Sequence, residues 1–291
     1  MISALAAAKV NLYLHVAPLQ ADGYHPLASL MVFADIGDEV RAEAADSLSL
    51  TVEGPFGQGL SAGEDNLVLR AARALLAAAG SNKGARLVLD KRLPVAAGLG
   101  GGSSDAGAAL RLLRDLLKLE LDDAALQAVA EAQGADGAAC LWGRAAVAEG
   151  RGEKLSPAPA LPVLPAVLVN PGVPSPTGAV YRAYDDMGAP GGCERPQAPL
   201  MGDVAAVAAW LAQCRNDLEA PALSLEPRIG QALRAMAAQP ESLFARMSGS
   251  GATCFSLCAS AEAAQAMTER LTRDRPAWWV RACRLGHAPE A

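Results

Sequence analysis

Apolar and polar residues alternate from position 10: Val10, Leu12, Leu14 and Val16 against Asn11, Tyr13 and His15. A period of two puts the two sets on opposite faces of a β-strand. Asp22-Gly-Tyr-His-Pro26 has turn chemistry. Three more strands are predicted at 27–33, 39–43 and 48–52. Leu67, Ala71, Ala74, Leu75 and Ala78 then recur at helical spacing, with Asp65-Asn66 as the cap and Gly80 as the stop. A short strand at 86–90 leads into a Gly-rich loop at 93–102. From Ser103 the period is helical again, with Ala106, Ala109, Leu110, Leu113, Leu116 and Leu117 on one face. Asp122 caps another helix that stops at Gly134, and 145–149 reads as a strand.

Four prolines in the ten residues 156–165 mark a linker. It divides the chain into an N-terminal domain, 1–155, and a C-terminal domain, 156–291. The second domain reads as a strand at 167–170, a helix at 177–185, a Gly/Pro loop at 188–199 expected to be mobile, and helices at 203–214 and 227–238. It ends with strands at 243–247 and 253–258, a helix at 261–272 and a strand at 278–285. Two hairpin-linked strands followed by helix and strand predict an open α+β sandwich.

Composition narrows the function classes. The 291 residues are 52% hydrophobic but only 4% aromatic, so alanine, leucine and valine build the core. Two domains suit that length. The net charge of -6 and the lack of a Lys/Arg cluster argue against a nucleic-acid or anionic-membrane partner. The six cysteines form no Cys-x-x-Cys and have no His at metal spacing, which fits free thiols. The apolar start lacks a basic n-region, and Lys9 interrupts it. No apolar run approaches the roughly 20 residues of a membrane span. A soluble cytoplasmic protein is expected, with its oligomeric state left open.

The Gly-rich loop carries the first chemistry. Its glycines let backbone approach a ligand and adopt positive φ. Ser103 and Ser104 fall at the helix entry, where unpaired N–H groups and the helix dipole favour phosphate. Their hydroxyls suit phosphate oxygens or a bound Mg²⁺. Gly-x-x-x-x-Gly-Lys-Ser/Thr is absent, because no Lys follows the glycines. Gly-x-Gly-x-x-Gly, counted from Gly98, fails at Ser103. A Gly-rich hinge is the structural alternative.

Pro94, Val95, Ala96, Ala97, Gly98, Leu99, Gly100, Gly101, Gly102, Ser103 and Ser104 together resemble the phosphate-binding motif of the GHMP small-molecule kinases. Ala8-Lys9-Val10-Asn11-Leu12 resembles that superfamily's first motif, and Met247-Ser-Gly-Ser-Gly-Ala-Thr253 its third. The three stand in order across nearly the whole chain. Lys9-Val-Asn-Leu, Asp22-Gly-Tyr-His25, Glu64-Asp-Asn-Leu67 and Gly134-Ala-Asp136 are most similar to the branch whose alcohol acceptor is a diphosphocytidyl methylerythritol. The resemblance implies an ATP-binding α+β domain followed by a ferredoxin-like domain. It also implies transfer of phosphate from ATP, accompanied by Mg²⁺, to the 2-hydroxyl of that cytidyl substrate in non-mevalonate isoprenoid synthesis.

Residue roles follow from the resemblance. Asp136 would take or orient the hydroxyl proton, and Lys9 would favour the developing alkoxide. By sequence alone Asp136 equally fits a helix N-cap. Tyr24 and His25 would read the cytosine by stacking and by hydrogen bonds to its edge, though an exposed turn looks the same. Tyr181 aligns with an aromatic that covers the base from the other side. Asn11 would contact substrate; its plain alternative is a solvent-facing strand residue. Gly249 and Gly251 would form a tight turn against the site, or a simple hairpin turn.

One departure stands out. The family usually follows this Asp with Val-Pro, and here Gly137-Ala138 follows. Glycine for a fixed-φ start predicts a less rigid Asp136. Two other functions compete: a GHMP kinase for homoserine or a mevalonate-type alcohol, which has no need of the Tyr24-His25 turn, and a non-catalytic nucleotide-binding regulator.

Overall fold

The computed structural model describes residues 1–189, 191–200 and 202–286. A long antiparallel pair founds the first half. β1 (Ile2–Val16) and β2 (Leu27–Ala45) run from Ile2 opposite Ala42 to Val16 opposite Leu27. The strand predicted at 10–16 is therefore only the second half of β1. The strands predicted at 27–33 and 39–43 are one. The polar stretch between them resembles a turn in composition, but its carboxylates are taken. Asp35 accepts from the Arg284 backbone and Nε, and Asp38 accepts from the Arg92 and Leu93 backbone N–H groups. With those groups satisfied, the strand passes through.

The rest of this half is β3 (Ser49–Glu53), α1 (Leu67–Ala78), β4 (Gly84–Asp90), α2 (Gly101–Leu116), α3 (Asp123–Glu131), α4 (Gly137–Trp142), β5 (Ala146–Gly150) and β6 (Lys154–Pro157). β4 and β5 pair antiparallel with opposite ends of β2, β3 runs parallel to β4, and β6 pairs with β5. Asn66 Oδ1 accepts from the Val68 N–H at 2.9 Å and starts α1. Leu75, Leu87, Leu110, Leu113 and Leu141 meet in the core between helices and sheet. α4 was not predicted; six residues carry too little periodicity.

The second half holds β7 (Leu164–Asn170), α5 (Thr177–Asp186), α6 (Val204–Leu211), α7 (Glu219–Leu225), α8 (Pro227–Ala237), β8 (Ser242–Met247), β9 (Cys254–Cys258), α9 (Ala261–Asp274) and β10 (Trp279–Leu285). The strands lie in the order β10-β7-β9-β8, and every neighbouring pair is antiparallel. Strand–helix–strand–strand–helix–strand in that order is the ferredoxin-like arrangement. Pro221 masks α7 in the sequence, yet proline is tolerated in a first turn. Strands claim both ends of the predicted linker, leaving 158–163 between β6 and β7. The described part of the 188–199 loop is anchored. His15 Nε2 accepts from the Arg215 N–H, so its Nδ1–H donates to Glu194 O at 3.0 Å. Arg195 reaches Ser156 Oγ at 3.0 Å.

Backbone bonds join the halves at several points among the described residues. Gly286 N–H donates to Phe33 O at 3.0 Å, and Leu14 N–H to Arg215 O at 2.9 Å. A cleft lined by residues of both halves has a volume of about 760 Å³.

Candidate active site

The Gly-rich loop forms one wall of the cleft. α2 starts at Gly101, two residues earlier than the sequence suggested, because Gly100 turns the chain at φ +62°. The first helical hydrogen bond runs from Ser104 N–H to Gly100 O at 2.9 Å. The amides of Gly101, Gly102 and Ser103 precede it and have no intrahelical acceptor. They stand at the positive end of a 16-residue helix, a strong place for anionic oxygens. Pro94 through Ser103 line the cleft. Ser104 does not. It is buried, and its hydroxyl lies against the Cys140 thiol, whose titration burial pushes up to about 12.

The third motif braces this loop from behind. Ser248 Oγ donates to Gly98 O at 3.0 Å, and Thr253 N–H to Ala97 O at 3.0 Å. Gly98 has φ +74°, and a side chain there would meet Ser248 O at 2.5 Å and Gly251 O at 2.7 Å. Gly249 lines the cleft and lies against Asn11, but Gly251 packs under Gly98 away from it.

Lys9 and Asp136 face each other across the floor. Lys9 Nζ lies 3.3 Å from Asp136 Oδ2 and donates to Asn11 Oδ1 at 2.7 Å. Lys9 and Asn11 are buried, whereas the Asp136 side chain keeps 30% of its surface open to the cleft. Asp136 does occupy the N-cap position of α4, but its carboxylate makes no capping bond. It is turned to Lys9 instead. Asn11 is likewise no solvent-facing residue, at 3% exposure.

Gly137 has a packing role that its sequence context did not show. A side chain there would overlap the Ala130 carbonyl oxygen at the end of α3 and lie 2.6 Å from its carbon. Glycine therefore permits the close approach of α4 to α3 that places Asp136. The glycine meets a packing requirement.

Tyr24, His25 and Tyr181 also line the cleft. Asp22 Oδ1 accepts from Tyr24 N–H at 3.0 Å and sets the turn. His25 Nδ1 donates to Ala17 O at 2.9 Å, and its ring centre lies 5.0 Å from that of Tyr181. Tyr24 is half exposed and carries Arg151 over one face of its ring, while His25 Nε2 lies 3.5 Å from Asp185 Oδ1. Burial, with Asp136 adding, pushes the Tyr181 phenol up to about 12, so it stays neutral.

Several lining residues lay outside the sequence-based set. Leu60, Ser61, Asn66 and Leu67 also line the cleft, Leu67 beside Gly102 at the start of α2; Glu64-Asp-Asn-Leu67 was noted in the sequence without a role. Arg151 lies over the Tyr24 ring at 3.8 Å and pairs with Asp22 at 2.7 Å. Its only sequence signal was a lone cation between two glycines. Beneath the loop, Lys91 bridges Asp38 and Asp105, all three buried. Burial outweighs the Lys91 attraction and pushes the Asp105 carboxyl up to about 8, with the Asp38 charge adding.

Known proteins resemble this chain from end to end. Residues 66–144 match the model of the GHMP kinases N terminal domain, and 196–276 that of the GHMP kinases C terminal domain. A protein of Caulobacter sp. (strain K31) named 4-diphosphocytidyl-2-C-methyl-D-erythritol kinase is 60% identical over 98% of both chains. One of that name from Hyphomonas neptunium is 51% identical over 99% of this chain and 98% of its own. A crystal structure of 4-(cytidine 5'-diphospho)-2C-methyl-D-erythritol kinase superposes with a TM-score of 0.79. It is 38% identical and covers 98% of this chain and all of that one. A phosphate-ready helix start facing a Lys–Asp pair, in a chain this similar over its full length, belongs to the GHMP kinases and within them to the 4-diphosphocytidyl-2-C-methyl-D-erythritol kinase family.

Proposed function

We propose that the chain transfers the γ-phosphoryl group of ATP to the 2-hydroxyl of 4-diphosphocytidyl-2-C-methyl-D-erythritol. The single observation that carries this is Asp136, held 3.3 Å from Lys9 within the cleft that the Gly-rich loop lines. The loop amides hold the phosphate oxygens and draw charge toward the start of α2. Asp136 accepts or orients the hydroxyl proton, and Lys9 stabilises the alkoxide that develops beside it. Phosphoryl transfer asks mainly for positioning and charge compensation, which two such groups can provide. Tyr24 stacks the cytosine and the edge of His25 reads it. That turn favours the cytidyl substrate over homoserine or a mevalonate-type alcohol. The intact Lys9–Asp136 pair favours an enzyme over a regulator.

Among the described residues no cluster of His, Cys, Asp or Glu suits a metal ion. A Mg²⁺ ion accompanying ATP fits the start of α2, where Ser103 lines the cleft and offers a hydroxyl. The ion would neutralise phosphate charge. The domains divide within the 156–165 stretch, near the end of β6. No helix among the described residues is long and apolar enough to cross a membrane, and a cytoplasmic location fits this small-molecule chemistry.

The test is ADP release with the cytidyl substrate beside a panel of other alcohols, in wild type and Asp136→Asn. Wild type should turn over only the cytidyl alcohol. Asp136→Asn should lose kcat by about 10²–10⁴-fold with nucleotide binding kept. Turnover of another alcohol alone, or full activity in the variant, overturns the assignment.

A further inference from the structure

Lys9 does not meet Asp136 unaided. Asn11 Oδ1 accepts from Lys9 Nζ at 2.7 Å, and Asn11 Nδ2 donates to Ser29 Oγ at 2.7 Å. Ser29 Oγ in turn donates to Tyr13 O at 2.7 Å. Ser29 is fully buried, and nothing in the sequence marked it. It sits on β2 opposite Leu14, just past the register shift of the β1 ladder between Asn11 and Tyr13. That irregularity brings the Asn11 side chain and the Tyr13 carbonyl to one hydroxyl.

The chain of bonds has a fixed direction. An ammonium only donates, and a backbone carbonyl only accepts. Every hydrogen between them must therefore point from Lys9 toward Tyr13. An amide can be reversed, because its oxygen and nitrogen ends have nearly the same shape. Reversed, Asn11 would turn its NH₂ against the Lys9 ammonium. Ser29 opposes that reversal: its own proton is committed to Tyr13 O, so it presents only an acceptor to Asn11.

We propose that Ser29 is a positioning residue for phosphoryl transfer, fixing the polarity of Asn11 so that Lys9 is held by an oxygen and left facing Asp136. This rests on the roles given to Lys9 and Asp136 above. It assigns Ser29 no contact with either substrate.

The prediction is a split between kcat and KM. Ser29→Ala should lower kcat about tenfold, with KM for ATP and for the cytidyl alcohol within about twofold of wild type, because a buried amide is left free to reverse. The decisive comparison repeats Ser29→Ala in an Asn11→Asp background. A carboxylate has two accepting oxygens and no polarity to set, so removing the hydroxyl there should cost less than about twofold. A purely structural serine would cost the same factor in both backgrounds, and that result overturns the proposal, as does unchanged kcat in Ser29→Ala. Should Ser29→Ala not fold, Ser29→Cys keeps the size, lacks the strong donor and is judged by the same factors. Lys9→Met is the control for the underlying site. Full activity there would remove the Lys9 role itself, whereas a large loss there beside an inert Ser29 would remove only the Ser29 role.

Discussion

Replacing Gly137 by valine should damage stability and turnover together. α4 lies so close to the end of α3 that a Cβ at 137 overlaps the Ala130 carbonyl oxygen and stands 2.6 Å from its carbon. The obstacle is backbone, with no flexible tip to swing aside. Overpacking a well-filled site costs about 1–3 kcal/mol, and an immovable wall puts this variant near about 3 kcal/mol. For a protein of this size that corresponds to a fall in Tm of about 6–12 °C. Relief by moving α4 displaces Asp136, the neighbouring residue, and about 1 Å of misplacement costs about 10²-fold in rate. Calorimetry and ADP-release kinetics measure both effects, with Gly137→Ala beside Gly137→Val because the clash begins at Cβ. Wild-type Tm and kcat in both variants would refute the packing account and restore a loosened Asp136.

Gly98→Ala should weaken ATP binding and lower Tm, since its methyl would press on the carbonyls of Ser248 and Gly251 from a positive φ; calorimetry with and without ATP measures both, and unchanged values count against the brace. Tyr24→Ala should raise KM for the cytidyl alcohol and leave KM for ATP unchanged; an equal rise in both would mean that Tyr24 does not face the base. Asp105 gives a pH dependence. Its folded carboxyl titrates at about 8, above its unfolded value, so the folded state holds an extra proton between them and stability falls as pH rises through that window. Asp105→Asn should flatten that slope in Tm measured from pH 5 to 9, and identical slopes would contradict a raised Asp105.

What could be read in the sequence was local chemistry. The glycine run before a helix shows its chemistry within a few residues, whereas Asp136 and the Asp22–His25 turn stood out only through the family resemblance. Asn11 was ambiguous because its partners are remote: Ser29 is 18 positions away and Ser248 is 237. β2 was split in two because the partner that satisfies Asp35, Arg284, lies 249 residues later. The packing constraint on Gly137 was hidden for the same reason, since it comes from the backbone of a neighbouring helix. Ser104 looked equivalent to Ser103, but one step along a helix turns a side chain by about 100°. That rotation takes it from the cleft to the core.

The Ser248–Gly98 and Thr253–Ala97 bonds have an evolutionary consequence. The nucleotide loop belongs to the first half by sequence, but the second half completes its shape. The two halves are therefore not exchangeable modules. Swapping in a foreign C-terminal half, however well it folds, would leave Gly98 and Ala97 carbonyls without their donors and the loop without its rear support. Inheritance must keep the halves together. Divergence toward new alcohols is then channelled into the rim around Tyr24, His25 and Arg151, where side chains can change without disturbing the shared loop.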